Sequence, residues 1–188
     1  MSTAIGQEQD NYFKKRFTEA TMDKDTILIA RLYGDVIVPS KNDWDAGFDI
    51  YAHFDEPQMY FEPHETRMIP TGLLFAFDTS YVMTLWERGS TGTKGIGQRC
   101  GVIEGSYRGE LFVPVTNHND KPMLITKETN ESALEALKDD YILYPYSKAI
   151  CQAVMLPLPE LRTEEVSVRE VLDVHSERGA GCLGSSGK

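Results

Sequence analysis

The sequence predicts an all-β fold, either a sandwich or a barrel. From residue 26 onward, short apolar or alternating runs follow one another, and turn-forming residues such as Pro39–Asn42 and Pro70–Gly72 separate most of them. Many short strands joined by turns are typical of these two architectures. The helical pattern of apolar residues is weak outside one patch. The length of 188 residues is enough for one domain with a buried core.

Each run has the length of a strand, and most are rich in β-branched or aromatic residues. In chain order, the predicted strands are Ile27–Tyr33, Val36–Val38, Asp49–Ala52, Thr66–Ile69, Leu73–Phe77, Tyr81–Trp86, Leu111–Thr116, Met123–Ile125, Ile150–Leu156 and Val166–Val168.

Polar segments divide the chain further. Residues 1–25 are interpreted as an N-terminal extension, 26–175 as the β domain and 176–188 as a glycine-rich C-terminal arm. Residues 118–145 form a polar insertion that carries the one clear helical patch, Glu131–Lys138. We interpret this insertion as a surface decoration, and a partner-binding element is the alternative.

The composition excludes several classes of function. The formal net charge of −10 argues against direct nucleic-acid binding, which needs a basic surface, but a small nucleotide stays open. Cys100, Cys151 and Cys182 have no metal-site spacing, so we expect reduced thiols and a cytoplasmic location. The start of the chain has no signal-peptide layout, and no apolar run approaches the length of a membrane span.

Two stretches carry chemistry. Residues 176–188 combine an arginine, two adjacent serines and several glycines with almost nothing apolar, so we expect them to be flexible until a ligand orders them. Backbone amides, hydroxyls and a guanidinium are groups that surround phosphate oxygens. Residues 101–109 place Glu104 and Tyr107 in a glycine-bounded turn. Together these stretches predict a phosphorylated ligand, a lid and one acid or base.

Other motifs do not indicate a function. Gly179–Gly184 matches G-x-G-x-x-G, but only four residues follow it, which leaves no room for the helix that a dinucleotide fingerprint requires. The four histidines are scattered along the chain. The sequence shows neither the pattern of a nucleophile elbow nor a recognisable Ser/His/Asp catalytic triad. We therefore expect neither a metal cluster nor covalent catalysis.

The sequence resembles the trimeric deoxyuridine triphosphatases (dUTPases), including phage-type members, over about residues 26–188. Five stretches are similar to that family's signatures and occur in the family's order. They are Ala46–Ile50 (A-G-[YF]-D-[LI]), Glu87–Gly92 (P-R-S-G/S), Gly101–Gly109 (G-[VL]-I-D-x-x-Y-x-G), Lys148–Gln152 (R-I-A-Q) and Arg178–Gly187 (R-G-x-x-G-F-G-S-[ST]-G).

The resemblance implies a β jelly roll, or β-clip barrel, that assembles as a homotrimer with active sites between subunits. It implies hydrolysis of dUTP to dUMP and pyrophosphate, which limits uracil incorporation into DNA and supplies dUMP. Glu104 would activate a water for attack on the α-phosphorus, and Asp49 would reach Mg²⁺ through water. The flexible arm would close over a neighbouring subunit's site.

The same resemblance implies the substrate-binding residues. Backbone groups of the third motif would recognise uracil, Tyr107 would exclude a 2′-hydroxyl, and the remaining residues would hold the phosphates or cover the base. The full set is Arg88, Gly89, Ser90, Gly101, Val102, Ile103, Tyr107, Gln152, Arg178, Leu183, Gly184, Ser185 and Ser186.

Four positions depart from the family's pattern. Glu104 stands where the family has Asp, Gly89 where it has Ser, Leu183 where it has Phe and Ala149 where it has Arg. At Gly89, either a hydroxyl contact to phosphate is lost or Ser90 supplies it, and Lys148 could supply the charge missing at Ala149.

Two other functions compete with this one. A dCTP deaminase shares the fold but needs a glutamate where this chain has Pro114, which cannot do acid–base work. A regulatory dUTP-binding protein would keep the pocket, act through residues 118–145 and turn over slowly or not at all. An assay of pyrophosphate release beside analogue binding separates it from the hydrolase.

Overall fold

β-Strands dominate the computed structural model, which describes residues 25–99, 101–177 and 179. Within these residues there are twelve strands and three short helices, so the predicted all-β class is confirmed. Most of residues 1–25 and most of the C-terminal arm lie outside the described residues. In the described ranges, no helix has both the length and the apolar character that crossing a bilayer requires.

The strands are short, and most follow one another without an intervening helix. In chain order they are β1 (Leu28–Arg31), β2 (Phe48–Ile50), β3 (Gln58–Phe61), β4 (Thr66–Pro70), β5 (Leu73–Ala76), β6 (Tyr81–Trp86), β7 (Ile96–Gln98), β8 (Val102–Glu104), β9 (Phe112–Asn117), β10 (Met123–Thr126), β11 (Ile142–Pro145) and β12 (Cys151–Pro157). The helices are α1 (Gly89–Gly92), α2 (Glu131–Leu137) and α3 (Val168–Asp173).

Four small sheets make up the described β structure, with strand orders β1-β5, β11-β10-β3, β2-β12-β6-β8 and β4-β9-β7. Every pairing is antiparallel except β10 with β11. The four-stranded sheet matters most for function, because it places stretches of the first, third and fourth motifs on neighbouring strands, with the second motif directly after β6.

The core lies where apolar side chains of these sheets meet. Burial alternates along β5, where Leu73 and Phe75 are buried while Leu74 and Ala76 are partly exposed. That is the two-residue period of a strand with one face inward. The largest fully buried side chains are Tyr144, Phe61, Ile50, Ile69, Leu73, Met83, Leu111, Met123, Leu124, Ile125, Val113 and Val115.

A tight turn joins β4 to β5 and requires glycine. Gly72 has φ +66°, and a Cβ built there would lie 2.5 Å from Val36 Cγ2. Its amide N–H donates to Glu110 Oε1 at 2.8 Å, and the Thr71 hydroxyl donates to the Leu111 carbonyl at 2.6 Å. The turn therefore fixes the segment that leads from the third motif into β9.

Residues 118–145 are not wholly a surface insertion, which corrects the interpretation from the sequence. β10 lies between β3 and β11, and all four of its residues are buried. Tyr144 on β11 is 1% exposed. The most exposed stretch is the connection between these strands. It carries α2, which begins after Asn130, whose side chain accepts a hydrogen bond from Ala133 N. The predicted helix is thus confirmed.

Two predicted strands are wrong and others were missed. Val36–Val38 lies in an irregular segment, and Val168 begins α3. Ser167 and Glu170 cap that helix reciprocally, a signal that outweighs the β-propensity of two valines. Strands β3, β7, β8 and β11 have no counterpart among the predicted strands, and each is only three or four residues long.

The chain divides into two compact units, one ending at Leu158 and the other starting at Pro159. This division falls earlier than the 175/176 boundary expected from the sequence. The first unit contains all twelve strands, and α3 belongs to the second.

Cys151 offers a direct test of the core. It is fully buried at the start of β12, and burial raises the pKa of its thiol to about 12. Because the thiolate is the reactive form, we expect N-ethylmaleimide at pH 7.5 to leave Cys151 unmodified in the folded protein. Peptide mapping by mass spectrometry after labelling in guanidinium supplies the control. Labelling at equal rates in both states would contradict the burial of this strand.

Candidate active site

A polar cavity of about 560 Å³ opens beside β2, β12 and α1. It brings together Asp49, Arg88, Gly89, Ser90 and Gln152, five residues singled out from three separate motifs. The other lining residues are Ser40, Lys41, Asn42, Asp45, Ala46, Gly47 and Tyr51. We call it the polar cavity.

Strand register accounts for this convergence. On the four-stranded sheet Gln152 pairs with Asp49 on one side and with Trp86 on the other. Arg88 follows Trp86 by two residues and is the N-cap of the single-turn helix α1. The Thr91 hydroxyl accepts from Arg88 N at 3.1 Å and donates to Arg88 O at 2.8 Å, so the turn is fixed locally.

An ion pair orients Arg88. Its Nη2 donates to Asp49 Oδ2 at 3.1 Å and its Nε lies 3.1 Å from Asp49 Oδ1, so the guanidinium contacts both carboxylate oxygens. Such pairs are stronger and more directional than neutral hydrogen bonds. Both side chains remain about a third exposed, at 29% and 34%, so the guanidinium still faces the cavity.

The fourth motif supports Arg88 through its backbone. The Ala149 carbonyl accepts from Arg88 Nη1 at 3.3 Å and from the Tyr144 hydroxyl at 2.5 Å. Burial raises the pKa of Tyr144, so this hydroxyl stays a donor at neutral pH. Ala149 itself is 1% exposed, and Lys148 is exposed and does not line the cavity. Lys148 therefore does not bring its charge to this cavity within one chain, and its expected role stays a prediction.

Sequence reasoning missed the loop from Ser40 to Asp45. The Asp45 carboxylate accepts from Asn42 N at 3.2 Å and from Asn42 Nδ2 at 2.8 Å, and Asp45 N donates back to Asn42 O at 3.0 Å. These bonds fold the loop onto itself and bring Lys41 to the cavity wall. The only signal was the turn-forming composition of Pro39–Asn42, which says nothing about which cavity the turn borders.

A second, apolar cavity of about 330 Å³ lies at the third motif. Glu104 and Tyr107 line it together with Val102 and Ile103. Its other lining residues are Met68, Glu110, Leu111, Phe112 and Pro114. We call it the apolar cavity. Pro114 stands here at the position expected for a deaminase glutamate, and it brings no acid–base group.

The third motif forms a strand, β8, followed by a turn. Among the described pairings β8 pairs only with β6, and the turn closes through Tyr107 N donating to Glu104 O at 3.0 Å. A Cβ on Gly101 would lie 2.9 Å from Leu85 O, so glycine permits the close approach of the two strands. The Tyr107 hydroxyl donates to Glu110 O at 2.9 Å, which holds the ring across Gly109.

The two cavities lie at opposite ends of β6. Val82 pairs with Glu104, whereas Trp86 pairs with Gln152. Four residues of extended strand span about 13 Å, and Arg88 lies further still. The cavities share no lining residue. One chain therefore does not bring Glu104 to a phosphate held by its own Arg88.

Five of the predicted substrate-binding residues lie outside the part of the chain that the structure describes. They are Arg178, Leu183, Gly184, Ser185 and Ser186. Within the described ranges, no group of three His, Cys, Asp or Glu side chains could hold a metal ion directly. Asp49 is the predicted metal-associated carboxylate, and it lies in the polar cavity.

The dUTPase family model matches residues 35–130 of this chain. The dUTPase (deoxyuridine 5'-triphosphate nucleotidohydrolase) of Nautilia profundicola is 30% identical over 166 residues, which cover 86% of this chain and 99% of the relative. The Neisseria meningitidis serogroup A enzyme of the same name is 31% identical, over 76% of this chain and 81% of its own.

Solved structures share the fold. A variant of the Staphylococcus bacteriophage 80alpha dUTPase bound to dUpNHpp aligns with a TM-score of 0.63 at 24% identity, over 87% of this chain and 99% of its own. A dUTPase variant of phage phi11 of S. aureus, described with a structural Mg(II) ion, aligns with a TM-score of 0.59 at 19% identity, over 78% of this chain and 99% of its own. The family model and the sequence relatives, with this agreement in fold, establish that the chain belongs to the dUTPase family.

Proposed function

We propose that the protein hydrolyses dUTP to dUMP and pyrophosphate through attack of water on the α-phosphorus. The observation that carries this proposal is that the two cavities contain different chemical groups. The polar cavity holds an oriented guanidinium, a hydroxyl and an amide, whereas the apolar cavity holds a carboxylate and an aromatic ring. A triphosphate suits the first, and a pyrimidine with its deoxyribose suits the second.

The phosphates bind in the polar cavity. Arg88 keeps N–H donors for phosphate oxygens beyond those that face Asp49 and the Ala149 carbonyl, and its ion pair with Asp49 orients the guanidinium before substrate arrives. Ser90 is exposed on α1 and supplies a hydroxyl. This hydroxyl replaces the one that the family's serine provides at the position of Gly89. Gln152 adds an amide from the centre of the sheet.

Uracil binds along the third motif. Backbone groups from Gly101 to Ile103 pair with the base edge, and cytosine would leave buried groups unpaired because its donors and acceptors differ. Mismatches of this kind discriminate strongly between substrates. The Tyr107 ring packs on the deoxyribose and leaves no room for a 2′-hydroxyl.

Glu104 is the general base. Its side chain is exposed at the rim of the apolar cavity, where water can reach it. A carboxylate there orients a water molecule and accepts its proton as the oxygen attacks the α-phosphorus. Positioned bases of this kind contribute about 10²–10⁴-fold to the rate. The remaining acceleration comes from the cations around the phosphates.

A complete site needs more than one copy of the chain. Because Glu104 and Arg88 of one chain lie at opposite ends of β6, the base of one subunit serves phosphates held by another. This geometry supports the homotrimer of the family. The arm, residues 176–188, would close over a neighbouring site with Arg178, Ser185 and Ser186 on the γ-phosphate and Leu183 and Gly184 over the base.

The donor set of the polar cavity fits an indirectly held Mg²⁺. Asp49 Oδ2 accepts one hydrogen bond from Arg88 and Oδ1 lies 3.1 Å from Arg88 Nε, which leaves lone pairs on both oxygens for metal-bound water. Mg²⁺ keeps several waters and needs only one or two carboxylates beside substrate phosphates. When bound, the ion neutralises part of the phosphate charge.

In the cell, this reaction would limit uracil incorporation into DNA and supply dUMP, in the cytoplasm and without direct nucleic-acid binding. A protein partner at residues 118–145 would find most of its exposed surface on the connection around α2, because β10 is wholly buried and β11 is only partly exposed.

The deciding experiment is a steady-state assay of pyrophosphate release from dUTP, dCTP and UTP with Mg²⁺. We expect turnover of dUTP only. Tight binding of dUpNHpp without turnover of dUTP would instead support the regulatory alternative, and release of ammonia from dCTP would support a deaminase.

Replacing Tyr107 by Ala is expected to relax sugar selectivity. Removing the ring opens the space that a 2′-hydroxyl would occupy, so the ratio of kcat/KM for dUTP to that for UTP should fall by about tenfold or more. Tyr107→Phe is the matched control, because it keeps the ring and loses only the hydrogen bond to Glu110 O. An unchanged ratio in Tyr107→Ala would remove this role from Tyr107.

A further inference from the structure

The polar cavity contains a cation that the five motifs do not include. Of its described lining residues, only Arg88 and Lys41 carry positive charge. Lys41 lies in the loop before the first motif and was not expected at the site. Its position matters because the fourth motif has no cationic side chain in the cavity: Ala149 is buried, and Lys148 is exposed outside the lining.

The charge of Lys41 is available to a ligand. Arg88 is paired with Asp49, and the Asp45 carboxylate is occupied by two hydrogen bonds from Asn42. Lys41 Nζ donates to the backbone carbonyl of Asp45 at 3.0 Å, and no described carboxylate forms an ion pair with it. An ammonium has three donors, so two remain for phosphate oxygens.

The loop also holds Lys41 in place. Its ammonium lies 5.8 Å from the centroid of the Phe48 ring, and the Asn42–Asp45 bonds fix the backbone on which it stands. On the other side of Lys41, Asp49 N donates to Ser40 O at 3.3 Å, which ties the loop to β2. These backbone bonds place Lys41 at the cavity wall before a ligand arrives.

We propose that Lys41 is a phosphate-binding residue of this protein and takes over the role that the family gives to the arginine of the fourth motif. The inference rests on the proposed function, because it takes the triphosphate of dUTP as the ligand of the polar cavity. It adds a residue from a fourth segment of the chain, so the cation on this wall comes from the loop of residues 40–45 rather than from the start of β12.

The test compares two lysines given the same substitution. Binding of dUpNHpp is measured by titration calorimetry for the wild-type protein, Lys41→Gln, Lys148→Gln and Lys41→Arg. Loss of a charge-assisted hydrogen bond to phosphate should raise Kd about 10- to 100-fold in Lys41→Gln. Lys148→Gln should stay within about twofold, and Lys41→Arg, which keeps the charge, should recover most of the affinity.

Salt dependence separates a phosphate contact from loop damage. Repeating the titrations between low and high NaCl should show a shallower dependence of Kd on salt for Lys41→Gln than for the wild type, since one ionic contact is lost. A structural role would lower the melting temperature and leave that slope unchanged. Such a result, or equal affinities for Lys41→Gln and wild type, would overturn the proposal, as would a larger loss in Lys148→Gln.

The same titrations distinguish this inference from the proposed function. If the wild type binds dUpNHpp but does not hydrolyse dUTP, the hydrolase is rejected while the comparison of lysines still decides the role of Lys41. If the wild type hydrolyses dUTP and Lys41→Gln binds normally, only the role of Lys41 is rejected. Absence of any binding by the wild type would reject both.

Discussion

Glu104→Gln is expected to lower kcat for dUTP by at least about 10²-fold while Kd for dUpNHpp changes by only a few-fold. The amide keeps the size of the side chain but cannot accept a proton from water. The turn that holds Glu104 is formed by its backbone carbonyl and Tyr107 N, so the substitution leaves the local fold intact. Single-turnover measurements would assign the loss to the chemical step.

Glu104→Asp is the informative companion to that variant. It restores the acid that the family carries and shortens the reach of the carboxylate by one methylene. Misplacement of about 1 Å can cost about 10²-fold, so the two acids need not be equally fast. Both should nevertheless turn over, whereas the amide should not. Undiminished turnover in Glu104→Gln would show that another group activates the water.

Strong local patterns predicted much of the fold. The run Tyr81–Trp86 corresponds residue for residue to β6, and the patch around Glu131 became α2 behind an Asn130 cap. Both elements are specified by neighbouring residues. β10 was predicted as a strand but placed in an insertion, because its burial depends on β3 and β11, which are distant in sequence.

Part of the candidate site was also predictable from the sequence. Motif order identified Asp49, Arg88, Gln152 and Glu104, and register on one sheet explains why the first three meet. Lys41 was not predictable, because its place on the cavity wall results from hydrogen bonds between Asn42 and Asp45 that no pattern encodes. The separation of Glu104 from Arg88 likewise depends on strand pairing and could not be derived from their spacing of sixteen residues.

Arg88→Ala should have the second large effect, a fall of about 10²–10³-fold in kcat/KM, which is typical when one preorganised donor to a transition state is lost. It should also destabilise the protein by about 1–2 kcal/mol, because Asp49 is left partly buried without its partner. Denaturant titration measures the second effect. Arg88→Lys keeps the charge without the planar fork and should show an intermediate loss of activity.

The double variant Arg88→Ala/Asp49→Ala separates these two effects. Removing Asp49 as well removes the unpaired carboxylate, so the free energy of unfolding should recover toward that of the wild type, as in a double-mutant cycle for an ion pair. Catalytic efficiency should stay low, because both the guanidinium that binds the phosphates and the carboxylate that would reach Mg²⁺ are missing. If efficiency recovered together with stability, Arg88 would serve only to neutralise Asp49, and the phosphates would have to bind elsewhere on the cavity wall.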